Sequence, residues 1–394
     1  MNVKIYPGLL RGAVQAIPSK SQAHRLLICA AFADQKTTLI CPQTNQDIEA
    51  TAECLRALGA DVIRTENGYQ VDPIHAIPKK ATLCCNESGS TLRFMLPIAA
   101  ALGVEAIFQM KGRLPERPLS PLWEELIRMG CKLSRPTHNE ILCTGKLCPG
   151  EYVIDGSVSS QFITGLLFAL TLIPGKSLLT ITGKLESAPY IEMTRKALAL
   201  FGVSTGSNRI SYSIPFHSPG QLRVEGDWSN SAFFLAAKAL GSSLEVTGLN
   251  DDSAQGDKAV AQILAASDAP LEIDASDIPD LVPILAVVAG AKHGAVFHNI
   301  ARLRLKESDR VAAVSAMLQA LGCCCENDAN TLTVHPGAYR GGVVDSYNDH
   351  RIAMSAAVAA TVASGPVTIL GAQCTNKSYP DFWNEFSRLG GQYE

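Results

Sequence analysis

The sequence has little charge of either sign. Lys and Arg total 34 and Asp and Glu 37 in 394 residues, a formal net charge of −3. That balance excludes a global electrostatic drive toward nucleic acid or an anionic membrane, so any basic site must be local. No two cysteines stand in the C-x-x-C spacing of a structural zinc site. The 12 cysteines cluster erratically, at Cys84-Cys85 and Cys323-Cys324-Cys325, or stand alone as Cys29 and Cys374 do. In a long chain they read as reduced thiols, several of them core filler. The GxxxxGK[ST] loop that cradles nucleotide phosphates is missing, so ATP is not implied. Neither a metal nor a cofactor is expected. Apolar runs such as Phe162–Ile173 and Leu281–Ala291 fall short of the roughly 20 residues that cross a bilayer and read as buried helices. Residues 1–12 lack a charged-then-apolar targeting pattern, which gives the cytoplasm as the expected compartment. Long low-complexity linkers are missing too.

What is present is enough apolar sequence, 47% against 18% charged, to fold into a globule. The length suggests two or three domains. A punctuation mark recurs along it: an apolar helical segment, then glycine, then a polar-apolar alternation. It appears at Leu55–Val62, Leu126–Leu133, Leu198–Ser204, Leu318–Cys325 and Phe386–Tyr393, with glycines at 59, 130, 202, 322 and 390. Glycine just past a helical pattern is a left-handed C-terminal cap, and the alternation beyond it suggests a strand. The glycines lie 71, 72, 120 and 68 residues apart. The wide gap has room for one more unit, which Gln262–Ile273 fills without a glycine. Six units of about 65 residues are too long for a solenoid and pack most simply as two domains of three. Helix-glycine-strand joints also occur in any α/β protein, so the joints alone leave the repeat open. The Pro-, Gly- and Ser-rich stretch Pro215–Glu225 is the expected crossover.

Cationic residues gather beside small polar ones at the starts of apolar helices. Pro18–Arg25 leads into a helix with Ser19, Lys20, Ser21, His24 and Arg25 at its head. Serines there cap free N–H groups, and adjacent cations suit an anion, phosphate above all; an ordinary serine cap with solvated charges is the plain alternative. Asn86–Arg93 opens a second helix, where Gly89 lets a ligand approach the backbone and Arg93 adds a planar charge. Lys111–Pro118 sets two arginines, Arg113 and Arg117, in a proline-fixed loop. Asp155–Phe162 offers Ser157, Ser159, Ser160 and Gln161 at a third helix head.

In the second half, Arg302–Arg310 alternates charge and apolarity. With Lys306 and Arg310 at i and i+4 of one helical turn, Glu307 lies beside two cations, where a carboxylate can move protons on a held anion. A surface ion-pair helix is the competing reading. Asp280 precedes the apolar helix Leu281–Ala291, a position expected to raise its pKa and make it a base. Asp349-His350-Arg351 opens another helix of small residues, and Lys377–Asp381 follows near the end. Helix N-termini with cations in both halves would make an anion trap.

The ordered set SKSQAHR (19–25), ESGSTLR (87–93), ERP (116–118), DGSVSSQF (155–162), SAPYIEMT (187–194), EGDWSNSA (225–232), IPD (278–280), LRLKESDR (303–310), DHRIAM (349–354) and KSYPDF (377–382) resembles the enolpyruvyl transferases over essentially the whole chain. The resemblance is closest to the branch that uses shikimate 3-phosphate. It implies an α/β fold of two similar domains, each of three βαβαββ-type units, an inside-out α/β barrel. The domains would be 1–13 with 225–394, and 14–224, with the active site in the cleft between them. It implies transfer of the enolpyruvyl group of phosphoenolpyruvate to the 5-hydroxyl of shikimate 3-phosphate by a monomer that engages no nucleic acid or membrane. Lys20, Ser21, Arg25, Ser159, Ser160, Gln161, Ser187, Asp280 and Lys306 would hold shikimate 3-phosphate. Lys20, Gly89, Arg117, Gln161, Arg310, Arg351 and Lys377 would hold phosphoenolpyruvate, with Arg93 on a cleft helix. Asp280 resembles the base for the 5-hydroxyl, and Glu307 the acid for the methylene carbon, with Lys306 beside it. The chain departs from the family at Glu87, where many members have Asn, and at Arg302, larger than the usual polar residue. The alternatives are the UDP-N-acetylglucosamine enolpyruvyl transferase and a non-catalytic anion- or RNA-end-binding protein. The first carries a loop cysteine where residues 113–118 have none. The second has no use for paired carboxylates.

Overall fold

The computed structural model describes residues 1–206, 209–211 and 215–394. The chain folds as two bodies, one made of Met1–Ile17 with Glu225–Glu394 and the other of Pro18–Val224. Each buries its own apolar core. The first crossing falls after Ile17, a little beyond residue 13, because the strand Arg11–Gln15 pairs in parallel with Ser243–Thr247 inside the first body.

The Pro18–Val224 body contains α1 (Lys20–Ala31), α2 (Gln46–Ala57), α3 (Gly89–Leu102), α4 (Leu122–Arg128), α5 (Ser160–Thr171) and α6 (Ala188–Leu200). Its central unit runs strand Lys80–Asn86, α3, strand Glu105–Met110, α4, then strands Cys131–Ser134 and Glu140–Gly145. The first two strands are parallel and the last two complete the sheet antiparallel, a βαβαββ unit. The other body contains α7 (Trp228–Ala239), α8 (Val260–Ala265), α9 (Val282–Ala291), α10 (Arg310–Ala320), α11 (His350–Thr361) and α12 (Phe382–Arg388). Strands Leu271–Asp274, Ala295–His298, Cys325–Asn327 and Thr331–Val334 repeat the same pattern around α9 and α10. Other units borrow a strand from a distant part of the chain. Gln221–Arg223 pairs with Thr37–Ile40, and Val3–Tyr6 lies between Val367–Leu370 and Gln392–Tyr393.

Strands form open sheets of two to four, and no closed strand barrel occurs among the described residues. The helices form the interior. Every residue of α11 is buried, as is all of α5 except Gln161 and all of α3 except Ser90 and Leu102. Strands instead alternate buried and exposed, as Glu105–Met110 does. A helix apolar on all sides has no stable place except between other elements, so composition alone drives these helices inward. Small residues then set their spacing. A Cβ on Gly165 would lie 2.2 Å from the Arg93 carbonyl oxygen. Pro97, four residues on, has no N–H for that carbonyl, and α5 packs against the gap.

The glycines of the five joints adopt φ of +103°, +109°, +75°, +84° and +95° at 59, 130, 202, 322 and 390, the left-handed conformation a helix C-cap requires. Gly103 and Gly241 do the same after α3 and α7, and the preceding Leu102 and Leu240 make the signal readable in the sequence. The sixth joint differs from expectation. The strand after α8, Leu271–Asp274, pairs in parallel with Ala295–His298 and opens the next unit instead of closing its own. All 12 cysteines are free, most of them buried.

Candidate functional site

In the Pro18–Val224 body, serine caps prepare three helix N-termini. Ser19 accepts from Gln22 N, Ser88 from Thr91 N and Ser159 from Gln161 N. Lys20, first in α1, places Nζ 2.9 Å from Asp47 Oδ2 in the first turn of α2. The Asp47 carbonyl accepts from Thr91 Oγ1 on α3 at 3.4 Å, which ties the Lys20 ion pair to the α3 N-terminus. Gly89 sits there: a Cβ on it would lie 2.7 Å from Arg117 Nη1 and 3.0 Å from Arg93 Nη1. Two guanidinium groups thus converge on a backbone that is bare only because residue 89 is glycine. Arg93 donates from Nη1 to Gln161 Oε1 at 2.7 Å and from Nη2 to the Pro118 carbonyl at 3.0 Å, while Gln161 Nε2 donates to Ser90 Oγ at 2.9 Å. Gly89, Arg93, Arg117 and Gln161 therefore form one cluster.

Arg25 has a different setting. It is 2% exposed, and it donates to Ser21 O (2.6 Å), Tyr190 O (2.9 Å), Thr194 Oγ1 (2.8 Å) and Thr164 Oγ1 (3.3 Å). These bonds clamp α1 to α5 and α6, and burial lowers the Arg25 pKa to about 10. Ser187 precedes α6 with φ +56°, a strained conformation for a side-chain-bearing residue. Asn86, Asn299, Tyr347 and Asn348 share that region; Asn86 lies just before Gly89, and Tyr347 and Asn348 just before Arg351. Glu87 packs its carboxyl against Gly112, whose Cβ would fall 2.7 Å from Oε2. No sequence signal marks Asp47, which reads as an ordinary acidic residue in a helix's first turn.

The second cluster lies in the other body. Arg310, 1% exposed, opens α10 behind the Asp309 cap. It donates from Nη1 to Asp280 Oδ1 (2.6 Å), from Nη2 to Glu307 Oε2 (2.6 Å) and from Nε to Asp349 Oδ2 (2.8 Å). Lys306 Nζ is 3.4 Å from Asp280 Oδ1, and Arg351 reaches both the Asp280 carbonyl (3.1 Å) and Oδ2 (3.3 Å). Asp349, fully buried, caps α11 through Arg351 N at 3.0 Å and accepts from Ser308 Oγ at 3.0 Å. Lys377 Nζ donates to the carbonyl of left-handed Asn348 at 3.0 Å. Arg302 Nη2 donates to the Ser276 carbonyl at 3.2 Å. Asp280, Lys306, Glu307, Arg310 and Arg351 thus meet, and Lys377, which follows α11, bonds to the loop before it.

Two sequence expectations are corrected here. Lys306 and Arg310 do not share a helical turn: Lys306 is extended, α10 starts only at Arg310, and the bend between them brings both to Asp280. Asp280 does not have a raised pKa. Burial acts to raise it, but Arg351, then Lys306 and Arg310, outweigh burial and hold it well below the ordinary carboxylate value. Asp257, which the sequence did not single out, is a carboxylate whose pKa is raised. Burial, then the negative charge of Asp280, brings it to about 7 against the opposing pull of Arg351, and Ser229 Oγ donates to it. Burial lowers Lys306 to about 8, with Asp280 opposing. Among the described residues no cluster of three or more His, Cys, Asp or Glu could hold a metal, and no helix is long and apolar enough to cross a membrane.

Solved structures with the same fold include an EPSP synthase from Acinetobacter baumannii, with a TM-score of 0.82 and 21% identity covering 100% of this chain and 99% of that one. Another is the enolpyruvyl transferase NikO from Streptomyces tendae, with a TM-score of 0.79 and 19% identity covering 100% and 98%. The repeated βαβαββ units and buried helices place the chain in the enolpyruvyl transferase-like class of α/β folds. The family model for EPSP synthase (3-phosphoshikimate 1-carboxyvinyltransferase) matches residues 6–272 and 265–386. A 3-phosphoshikimate 1-carboxyvinyltransferase of Clostridium kluyveri is 38% identical over 419 residues, covering 100% of this chain and 98% of the relative. That of Clostridioides difficile is 35% identical over 429 residues with the same coverage. The chain belongs to the EPSP synthase family.

Proposed function

We infer that this protein transfers the enolpyruvyl group of phosphoenolpyruvate to the 5-hydroxyl of shikimate 3-phosphate, releasing inorganic phosphate. Membership of the family supports this, and the observation that carries it is the convergence of Arg310, Arg351 and Lys306 on Asp280 beside Glu307. The reaction needs a base for the hydroxyl, an acid for the methylene carbon and cations for phosphate that accumulates charge as it leaves. In this reading Asp280 accepts the hydroxyl proton as oxygen attacks C2, and Glu307 protonates C3. The tetrahedral intermediate then loses a C3 proton and phosphate, restoring the double bond.

Arg310, Arg351, Lys377, Lys20 and the Arg117–Gly89–Gln161 cluster are assigned to phosphoenolpyruvate. Ser159, Ser160, Gln161, Ser187, Lys20, Ser21, Arg25, Asp280 and Lys306 are assigned to shikimate 3-phosphate. Arg25 acts by holding the Ser21 carbonyl and α6 in place. The same reading takes the protein as a cytoplasmic monomer of two domains that uses no cofactor and binds no nucleic acid.

The test is phosphate release with phosphoenolpyruvate plus shikimate 3-phosphate, with UDP-N-acetylglucosamine as the parallel acceptor. Release with shikimate 3-phosphate alone is expected, and release with neither acceptor would overturn the reading.

Two further outcomes are expected. In Gly89→Ala the new methyl displaces Arg117, whose flexible end can move. The fold and melting temperature should hold while the KM for phosphoenolpyruvate rises about tenfold, the equivalent of a weakened charged contact. The second concerns pH. Lys306 loses its proton above about 8, so kcat/KM should fall on the alkaline side with a limb near that value. Lys306→Arg should move the limb upward, because a guanidinium does not titrate there.

A further inference from the structure

His24 lies early in α1, between Lys20 and Arg25, and has no part in the chemistry assigned above. Its Nδ1 is 2.7 Å from Thr51 Oγ1 on α2, and Thr51 Oγ1 is 2.8 Å from Thr91 Oγ1 on α3. Thr91 Oγ1 in turn donates to Ser88 Oγ at 2.8 Å, with the Asp47 carbonyl as a second, longer acceptor at 3.4 Å. All four side chains are buried. A ring nitrogen and three hydroxyls thus run from α1 to α3 out of reach of solvent. Polar groups in such a place are costly unless each is bonded, and apolar side chains of like size would fill the space without that cost. The partners fix where the protons lie. His24 Nε2 meets no hydrogen-bond partner among the described residues. A proton there would be a buried donor without an acceptor, a rarer and costlier fault than a bare lone pair. The proton therefore belongs on Nδ1, which donates to Thr51. Thr51 must then donate to Thr91 and Thr91 onward to Ser88, so that Thr51 and Thr91 each accept once and donate once.

We propose that His24 is a positioning residue for phosphoenolpyruvate: donation from its Nδ1 sets the direction of a hydroxyl chain that fixes the first turn of α3, where Gly89 presents bare backbone. The proposal rests on the enolpyruvyl-transfer reading and deepens it. The chain ends at residues that touch the assigned site. Ser88 caps α3 by accepting from Thr91 N, and Gly89 follows it as the first residue of that helix. Asp47, whose carbonyl Thr91 holds, carries the carboxylate that pairs with Lys20 at 2.9 Å. One buried chain therefore steadies both the N-terminus of α3 and the Lys20 ion pair. Burial, then the cations Lys20 and Arg25, hold the imidazole well below its usual pKa, so the ring stays neutral and keeps this direction. Phe94 closes the other side of the ring, edge to face at 6.2 Å between centroids, and leaves it no room to turn toward an anion.

The experiment cuts the chain in its middle. Thr51→Val keeps the shape of the side chain and should raise the KM for phosphoenolpyruvate about five- to tenfold with kcat within about twofold, the equivalent of one hydrogen bond. Thr51→Ser, which restores the hydroxyl, should restore KM. Added to Thr91→Val, which already breaks the chain, Thr51→Val should raise KM no further. Proton–nitrogen correlation spectra of protein labelled in its histidines, with His24 assigned by the signals lost in His24→Asn, should show the proton on Nδ1 and no titration between pH 6 and 8. A core histidine without this role predicts a lower melting temperature and less active protein, with KM unmoved. A proton on Nε2, an unchanged KM in Thr51→Val, or penalties of Thr51→Val and Thr91→Val that simply add would each overturn the proposal. Failure of the unmodified enzyme to release phosphate would instead sink the reading beneath it, and the spectra separate that failure from failure of the chain.

Discussion

Asp280→Asn should lower kcat about a thousandfold or more while leaving the protein folded, a loss in the range removed with a general base. The amide cannot take the hydroxyl proton, yet it preserves the shape of the side chain and the backbone carbonyl that Arg351 holds at 3.1 Å. It also leaves Arg310, Arg351 and Lys306 short of a negative charge, so anionic substrates should bind no more weakly. Single-turnover phosphate release and circular dichroism on the same preparation check this. A collapse of KM or of folding, with kcat spared, would give Asp280 a structural role. The depressed pKa of Asp280 fits its part. A base must be ionised at the start, and as substrate anions draw Arg310 and Arg351 away its proton affinity rises during the reaction.

Arg310→Met should be the most damaging single change to stability. It leaves Asp280, Glu307 and fully buried Asp349 without their shared cation, and breaking a buried ion pair from one side costs about 3–5 kcal/mol. The pH dependence identifies the cause. In the unmodified protein Asp280 and Asp349 titrate below the ordinary 3.8. They contribute stability above that value and lose it as pH falls through their folded pKa. Without Arg310 the fully buried Asp349 loses the cation that chiefly holds it down and titrates above 3.8, so the folded variant binds a proton that the unfolded chain does not. Its deficit should therefore narrow as pH falls from 7 toward 4. Denaturant titrations at pH 7 and 5 measure this, and adding Asp349→Asn should recover part of the loss. A deficit equal at both pH values would point to packing instead of charge.

Much of the fold was legible in the sequence because its signals are local. Glycine after an apolar helix marks a left-handed cap whatever lies beyond it, and Ser19, Ser88, Ser159, Asp309 and Asp349 cap helices that begin within a residue or two of them. The sixth joint misled because a helix followed by a strand looks the same whether the strand closes one unit or opens the next. The site was legible as a set of residue types at helix starts, and the family resemblance supplied their roles. Asp47 and Asp257 were not legible, since each takes its setting from residues distant in sequence, Lys20 for one and Ser229 and Asp280 for the other.

The sequence by itself determined which segments are helix, where they end and which must be buried, because chain stiffness, capping and apolar content act over a few residues. Only the tertiary structure decided that Val3–Tyr6 and Gln221–Arg223 complete sheets begun elsewhere. It also decided that Arg310 lies among carboxylates 30 and 39 residues distant, and that Asp280 is held acidic where its apolar flank suggested the reverse. The energy of a buried charge depends on what surrounds it in space, and those neighbours arrive from parts of the chain that no local pattern connects.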